Sequence, residues 1–138
     1  MSELSGKIVW ITGGGRGIGK ATAIEFAKLK AKVVVSARTL NEIEDVASDI
    51  RATGGRALAI PCDVSFAESI QSAFSQIEKN WGPVDILINN AGLGIFKSIL
   101  ETSEQDWDDM MSINAKSALL CSKAVLPEML AKQSGHII

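Results

Sequence analysis

The strongest constraint in this sequence is local: in Thr12-Gly13-Gly14-Gly15-Arg16-Gly17-Ile18-Gly19, five of the seven positions from 13 to 19 are glycine. The apolar run Lys7 to Thr12 leads into it and a helical pattern, Lys20 to Leu29, leads out, so the segment reads as a strand-to-helix turn. Without Cβ atoms such a backbone can take φ > 0 and approach a ligand closely, while free amides at the helix start point at an anion. The macrodipole adds roughly half a positive charge there. A turn that needs glycine only for its own geometry is the plainer alternative, and this density of glycine favours a phosphate seat.

Short apolar runs alternate with longer amphipathic stretches along the rest of the chain. That alternation is the mark of βα units feeding a parallel sheet covered on both faces, an α/β doubly wound fold. The predicted strands are Lys7 to Thr12, Lys32 to Ala37, Arg56 to Pro61 and Val84 to Asn89, with a fifth beginning at His136. They are apolar without polar alternation, as strands buried on both faces are. Ile43, Val46, Ala47 and Ile50 repeat at helical spacing, as do Ile70, Ala73, Phe74, Ile77 and Trp81. Thr39 to Glu42, Ser65 to Glu68 and Thr102 to Gln105 fit capping-box spacing at three helix starts. The last helix is expected to carry Trp107, Met111, Asn114, Ala118, Cys121 and Val125 on one stripe, and Pro127 to kink or end it.

A chain of 138 residues is one domain, large enough to bury roughly 68–70% of its unfolded surface without disulfides. Its 14 Lys+Arg against 16 Asp+Glu give a formal charge of -2, which argues against nucleic acid as a partner. Cys62 and Cys121 lie in apolar segments without metal-ligand spacing and read as reduced core residues, so no metal site is expected. The opening MSELSGK lacks the basic and apolar regions of a signal peptide, and no apolar run reaches about 18 residues. A cytoplasmic protein with no membrane segment is the expectation.

Which phosphate ligand the turn would take depends on spacing. The fingerprint G-x-G-x-x-G fails, because Ile18 or Thr22 stands where its last glycine or alanine belongs. A P-loop nearly fits through Gly14, Gly19 and Lys20, but Ala21 replaces the hydroxyl that holds Mg²⁺, leaving a phosphohydrolase as a distant alternative. T-G-x-x-x-G-x-G does fit, with Thr12, Gly13, Gly17 and Gly19. Asp63-Val64 follows the third strand and Asn89-Asn90-Ala91-Gly92 the fourth. With these three motifs in order, the sequence resembles the short-chain dehydrogenase/reductase family, and within it the 3-oxoacyl and small-ketone reductases.

The resemblance implies a dinucleotide held by Gly13, Gly15, Arg16, Gly17, Ile18 and Gly19, by Asp63 and Val64 at the adenine, and by Asn90, Ala91 and Gly92. In doubly wound sheets such ligands sit outside the carboxyl ends of the strands. Asp63 can accept from an adenine amino group or cap the turn before Ser65. Asn90 can bond neighbouring backbone or a ribose, and Ala91 and Gly92 can admit a flat ring or pack close. At the end of the second strand stand Ser36 and Arg38, with no carboxylate before Glu42. Arg38, aided by Arg16, can hold a ribose 2′-phosphate where an acid would repel it, so NADP(H) is expected over NAD(H).

The family's catalytic set is Asn, Ser, Tyr and Lys. Asn114 matches the first, where the resemblance implies support of a proton relay, with satisfaction of nearby main chain as the alternative. The sequence contains no tyrosine. Its last residues, Gly135 to Ile138, resemble the run-in to the fifth strand before the catalytic Ser. The expectation is therefore an incomplete Rossmann-type sheet, order 3-2-1-4 with the start of strand 5, spanning residues 1–138 of a longer oxidoreductase. Such a chain would bind nucleotide, interconvert no alcohol and carbonyl alone, leave strand 4 with a poorly paired edge, and self-associate. A non-catalytic nucleotide-binding module is the alternative. His136 is expected to be structural, and Trp107, Met110 and Met111 to be core or interface residues.

Overall fold

The computed structural model describes residues 2–138. In chain order it contains β1 (Ile8–Thr12), α1 (Gly17–Lys28), β2 (Lys32–Ser36), α2 (Leu40–Ala52), β3 (Arg56–Ala59), α3 (Ala67–Trp81), β4 (Ile86–Ile88), α4 (Glu104–Met111), α5 (Ser117–Lys132) and β5 (His136–Ile137). The strands pair in parallel in the order 3-2-1-4-5. The predicted fold class and strand order are those observed, with most strands one or more residues shorter than predicted.

Strand alternation divides the core into two layers. Val9 lies in register with Val33 and Ile86, and Ile11 with Val35 and Ile88. These rows pack against Ala23 and Ala27 of α1 and Ile43, Val46, Ala47 and Ile50 of α2. On the opposite face Trp10 lies in register with Val34 and Leu87, and that row packs on Ile70, Phe74 and Ile77 of α3 and Cys121, Val125 and Met129 of α5. Each fully buried Val, Ile or Leu contributes about 1.5–3 kcal/mol of transfer free energy. Trp10 needs an acceptor in this dry layer, and its indole N–H donates to the Ser36 hydroxyl at 2.9 Å.

Helix starts differ from the predicted capping boxes. Thr39 precedes α2 without a side-chain cap bond. Helix α3 begins after Phe66, and Ser65 instead donates its amide to Asp63 at 2.9 Å. The reciprocal box that does form joins Ser103 and Asp106 at the start of α4, one residue beyond the Thr102–Gln105 pair. There Lys97 and the Ser103 amide hold the Asp106 carboxyl well down, at about 2.

The last predicted helix is two helices joined by a π turn over Ser112–Lys116. One extra residue rotates a helix by about 100°, so the stripe is broken there. Cys121 and Val125 are buried, whereas Trp107 is 60% exposed, and Met111 and Asn114 are also exposed. At the junction the Ser117 hydroxyl donates to the Ile113 carbonyl. Pro127 does not end α5, which continues to Lys132 and stops at Gln133 with φ 53°. Nor is β4 a poorly paired edge: His136 donates to Asp85, Ile138 to Leu87, and Asn89 to Ile138. No helix among the described residues is long and apolar enough to cross a membrane.

Asp85 clamps the base of this arrangement. Its carboxylate accepts from the Ile8 amide and the Lys132 ammonium, both at 2.9 Å, and so ties the start of β1 and the end of α5 to the approach to β4. Burial pulls its pKa up, but the Ile8 amide and Lys132 together outweigh that and hold it below the ordinary value. A folded-state pKa lower than the unfolded one gives stability that is present above the unfolded pKa and lost as pH falls through the folded one. Asp85→Asn should therefore cost about 1–3 kcal/mol at pH 7, and the gap between variant and parent should close in urea melts below about pH 4. Ser36→Ala, which strands the Trp10 indole N–H, should cost about 1–3 kcal/mol in the same melts.

Candidate functional site: a cleft at the strand ends

A cleft of about 400 Å³ opens where the carboxyl ends of β1, β2, β3 and β4 converge. Gly13, Gly15, Arg16 and Ile18 border it after β1, Arg38 after β2, Asp63 and Val64 after β3, and Asn90, Ala91 and Gly92 after β4. Segments far apart in sequence thus meet at one wall, as ligand clefts of doubly wound sheets do. Gly17, Gly19, Ser36 and Asn114 lie outside the lining.

The shape of the glycine turn is imposed from β4. The buried Thr12 hydroxyl accepts from the amides of Asn90 (3.1 Å) and Ala91 (3.0 Å) and donates to the Ile88 carbonyl (3.4 Å). The Asn90 side-chain amide returns the tie, donating to the carbonyls of Thr12 and Gly13, each at 3.0 Å. Gly13, with φ 63°, sits so close that a Cβ there would lie 2.9 Å from Ala91 Cα. Gly19 serves the same packing, because a Cβ on it would collide with the Gly13 carbonyl and the Asn90 side chain. Backbone support is therefore an observed role of Asn90, and close helix-to-strand approach that of Gly19. Gly17 supplies a φ of 55° at the start of α1.

The first turn of α1 is open to an anion. Its first backbone bond runs from Lys20 to the Arg16 carbonyl at 3.2 Å, no side chain caps the amides before it, and no acidic residue stands in that turn. Gly15, Arg16 and Ile18 carry this turn to the cleft. Neither Arg16 nor Arg38 makes an ion pair among the described residues. An uncompensated helix start flanked by two free guanidinium groups fits a phosphorylated dinucleotide.

Other positions divide between support and access. Ser36 is buried, with its hydroxyl engaged by Trp10, and has no surface on the cleft. Asp63 uses one carboxylate oxygen to accept from Ser65, leaving Oδ2 without a hydrogen-bond partner among the described residues. Asn114 is exposed and not buried on a stripe as its sequence context suggested. Its amide grips Leu93, accepting from that residue's N–H at 2.9 Å and donating to its carbonyl at 2.7 Å. It reaches the site through Leu93, which lines the cleft. Main-chain satisfaction is thus observed for Asn114, within a π turn of the kind frequent at functional sites.

Sequence reasoning missed several lining residues: Ala37, Thr39, Glu42, Cys62 and Ile113. Glu42 was absorbed by its capping-box spacing and Cys62 by its apolar context. Burial pushes the Cys121 thiol up to about 12, and burial also raises that of Cys62, with the Asp63 charge adding and the Ser69 hydroxyl opposing. Both therefore stay protonated at neutral pH. Ala21, the residue that breaks the P-loop pattern, is exposed on α1 and does not border the cleft.

Comparison with known proteins agrees with this geometry. A fatty acyl-CoA reductase of Mycobacterium tuberculosis is 38% identical over 99% of this chain and 47% of its own length. The oxidoreductase UcpA of Salmonella typhimurium is 37% identical over the whole chain and 52% of its own length. Hydroxysteroid dehydrogenase-like protein 2 of Rattus norvegicus is 38% identical over 99% of the chain and 27% of its own length. The chain thus spans about half, or less, of the length of these relatives. A solved metagenomic short-chain oxidoreductase in complex with NADP superimposes with a TM-score of 0.94 at 36% identity, over 99% of this chain and 62% of that one. With the short chain dehydrogenase model matching residues 7–138, and with its glycine turn, Asp63 and Asn90 gathered at the strand ends, the chain belongs to the short-chain dehydrogenase family.

Proposed function

We propose that these residues form the nucleotide-binding part of an oxidoreductase that interconverts a small-molecule alcohol and carbonyl and takes NADP(H) in preference to NAD(H). The observation that carries this reading is the meeting, in one cleft, of an uncapped helix start, two unpaired arginines and the free oxygen of Asp63. That a solved relative is in complex with NADP supports it.

The chain's own groups divide the work of binding. The amides opening α1 hold the pyrophosphate, Arg38 with Arg16 holds the 2′-phosphate, and Asp63 Oδ2 accepts from the adenine amino group. Ala91 and Gly92 leave room for the sugar or ring beyond. Asn114 positions Leu93, and with it the wall that follows Gly92. The bound dinucleotide supplies the hydride acceptor or donor. No tyrosine is present in these 138 residues to give a proton to an alkoxide, so we propose that they bind without turnover.

We also propose that the chain forms a homo-oligomer. Helix α5 turns Cys121, Val125 and Met129 to the sheet and leaves Leu119, Leu126 and Leu130 exposed, at 40% or more each. An apolar stripe of this kind marks an interaction surface.

Arg38→Asp should weaken NADPH binding by about ten- to a hundredfold, the worth of one or more charge-assisted bonds, while leaving NADH affinity unchanged or raised, since an acid there can accept from the ribose 2′-OH; calorimetric titration of both nucleotides measures this. Equal loss for both would contradict the 2′-phosphate assignment. The parent chain should bind NADPH yet leave its reduced-nicotinamide absorbance constant with a panel of ketones and aldehydes. Sedimentation should show self-association that Leu126→Glu with Leu130→Glu abolishes.

A further inference from the structure

Glu42 stands in the first turn of α2, where a carboxylate favours the helix start; its position against the glycine turn goes beyond that role. Its spacing from Thr39 predicts a carboxylate folded back onto the start of α2, yet no side-chain cap bond forms there. Instead Glu42 borders the cleft beside Arg16, Arg38 and Thr39. Its Cβ and Oε2 lie 3.0 and 3.2 Å from the point a Cβ on Gly15 would occupy. The missing side chain at Gly15 is therefore what admits this carboxylate to the wall of the glycine turn. No salt bridge among the described residues joins Glu42 to either arginine. It is an unpaired acceptor in the same corner as two unpaired cations.

We propose that Glu42 is a specificity-determining residue acting against Arg16 and Arg38. Its carboxylate accepts from the adenosine ribose hydroxyls of an unphosphorylated dinucleotide and repels the 2′-phosphate of a phosphorylated one. The cleft is then permissive: the arginines set the direction of the preference, and Glu42 limits its size. An acidic acceptor for the ribose 2′-OH is the usual chemistry of dinucleotide folds, here supplied from the first turn of α2 instead of the end of β2. The inference rests on the dinucleotide reading of the cleft.

The test is calorimetric titration of NADPH and NADH into the 138-residue chain and its E42Q variant, at low and high salt. Glu42→Gln keeps the side chain's length on an exposed first turn, so the variant should fold and melt cooperatively as the parent does. NADPH should bind about tenfold more tightly to the variant and NADH a few-fold more weakly, with the NADPH gain shrinking as salt screens the charge. Glu42→Lys should move both affinities further the same way. An unchanged ratio of the two dissociation constants in both variants, or weaker NADPH binding, would overturn the role of Glu42 while leaving the cleft's assignment standing. A parent chain that binds neither nucleotide would overturn the assignment itself, and Glu42's role with it.

Discussion

The Thr12 hydroxyl and the Asn90 side chain hold the ends of β1 and β4 together, and the rest of the cleft hangs on that tie. One hydroxyl accepts from two successive amides while one side-chain amide serves two carbonyls. Thr12 is 2% exposed, so losing its oxygen would strand donors away from water at about 1–3 kcal/mol each. The tie also sets spacing. Gly13 must pass against Ala91, and Gly19 must bring α1 down onto Gly13 and Asn90, with no room for a Cβ at either place. Glycine is demanded there by contact with the protein's own backbone, before any ligand is considered.

That geometry places the positive end of α1 in the cleft without a side-chain cap. Sheet register brings the ends of β2 and β3 alongside, so Arg38 and Asp63 arrive as neighbours of the glycine turn although they are distant in sequence. Binding chemistry follows from topology here: a parallel sheet ordered 3-2-1-4-5 puts every strand-to-helix loop from β1 to β3 at one end. The charges that collect there are of both signs. Arg16 and Arg38 are suited to an extra phosphate and Glu42 is not, so on the proposed reading nucleotide choice is a balance of those terms rather than the presence of one residue.

Much of this was legible in the sequence because the signals are local or periodic. Unbroken apolar runs located β1 and β2, helical spacing located the buried faces of α2 and α3, and the glycine spacing with Asp63 and Asn90 located most of the cleft. What escaped depends on contacts no local pattern carries. Ser36 resembled a ligand contact because its partner, the Trp10 indole, lies on another strand. The π turn at Ser112–Lys116 inserts a single residue into an otherwise regular pattern, and so misassigned Trp107, Met111 and Asn114 to a buried stripe. Capping-box spacing matched at Thr39, Ser65 and Thr102, yet the box formed only at Ser103 with Asp106. Consigning Glu42 to such a box concealed a carboxylate that borders the cleft with the arginines.

The central claim is that the opening of α1 is a pyrophosphate seat. Titration of NADPH into the ¹⁵N-labelled chain, followed by amide chemical shifts, tests it most directly. The account predicts saturable downfield movement of the Gly15, Arg16 and Ile18 amides, concurrent with shifts at Asp63 and Gly92. Saturable binding that leaves those α1 amides unmoved would contradict it.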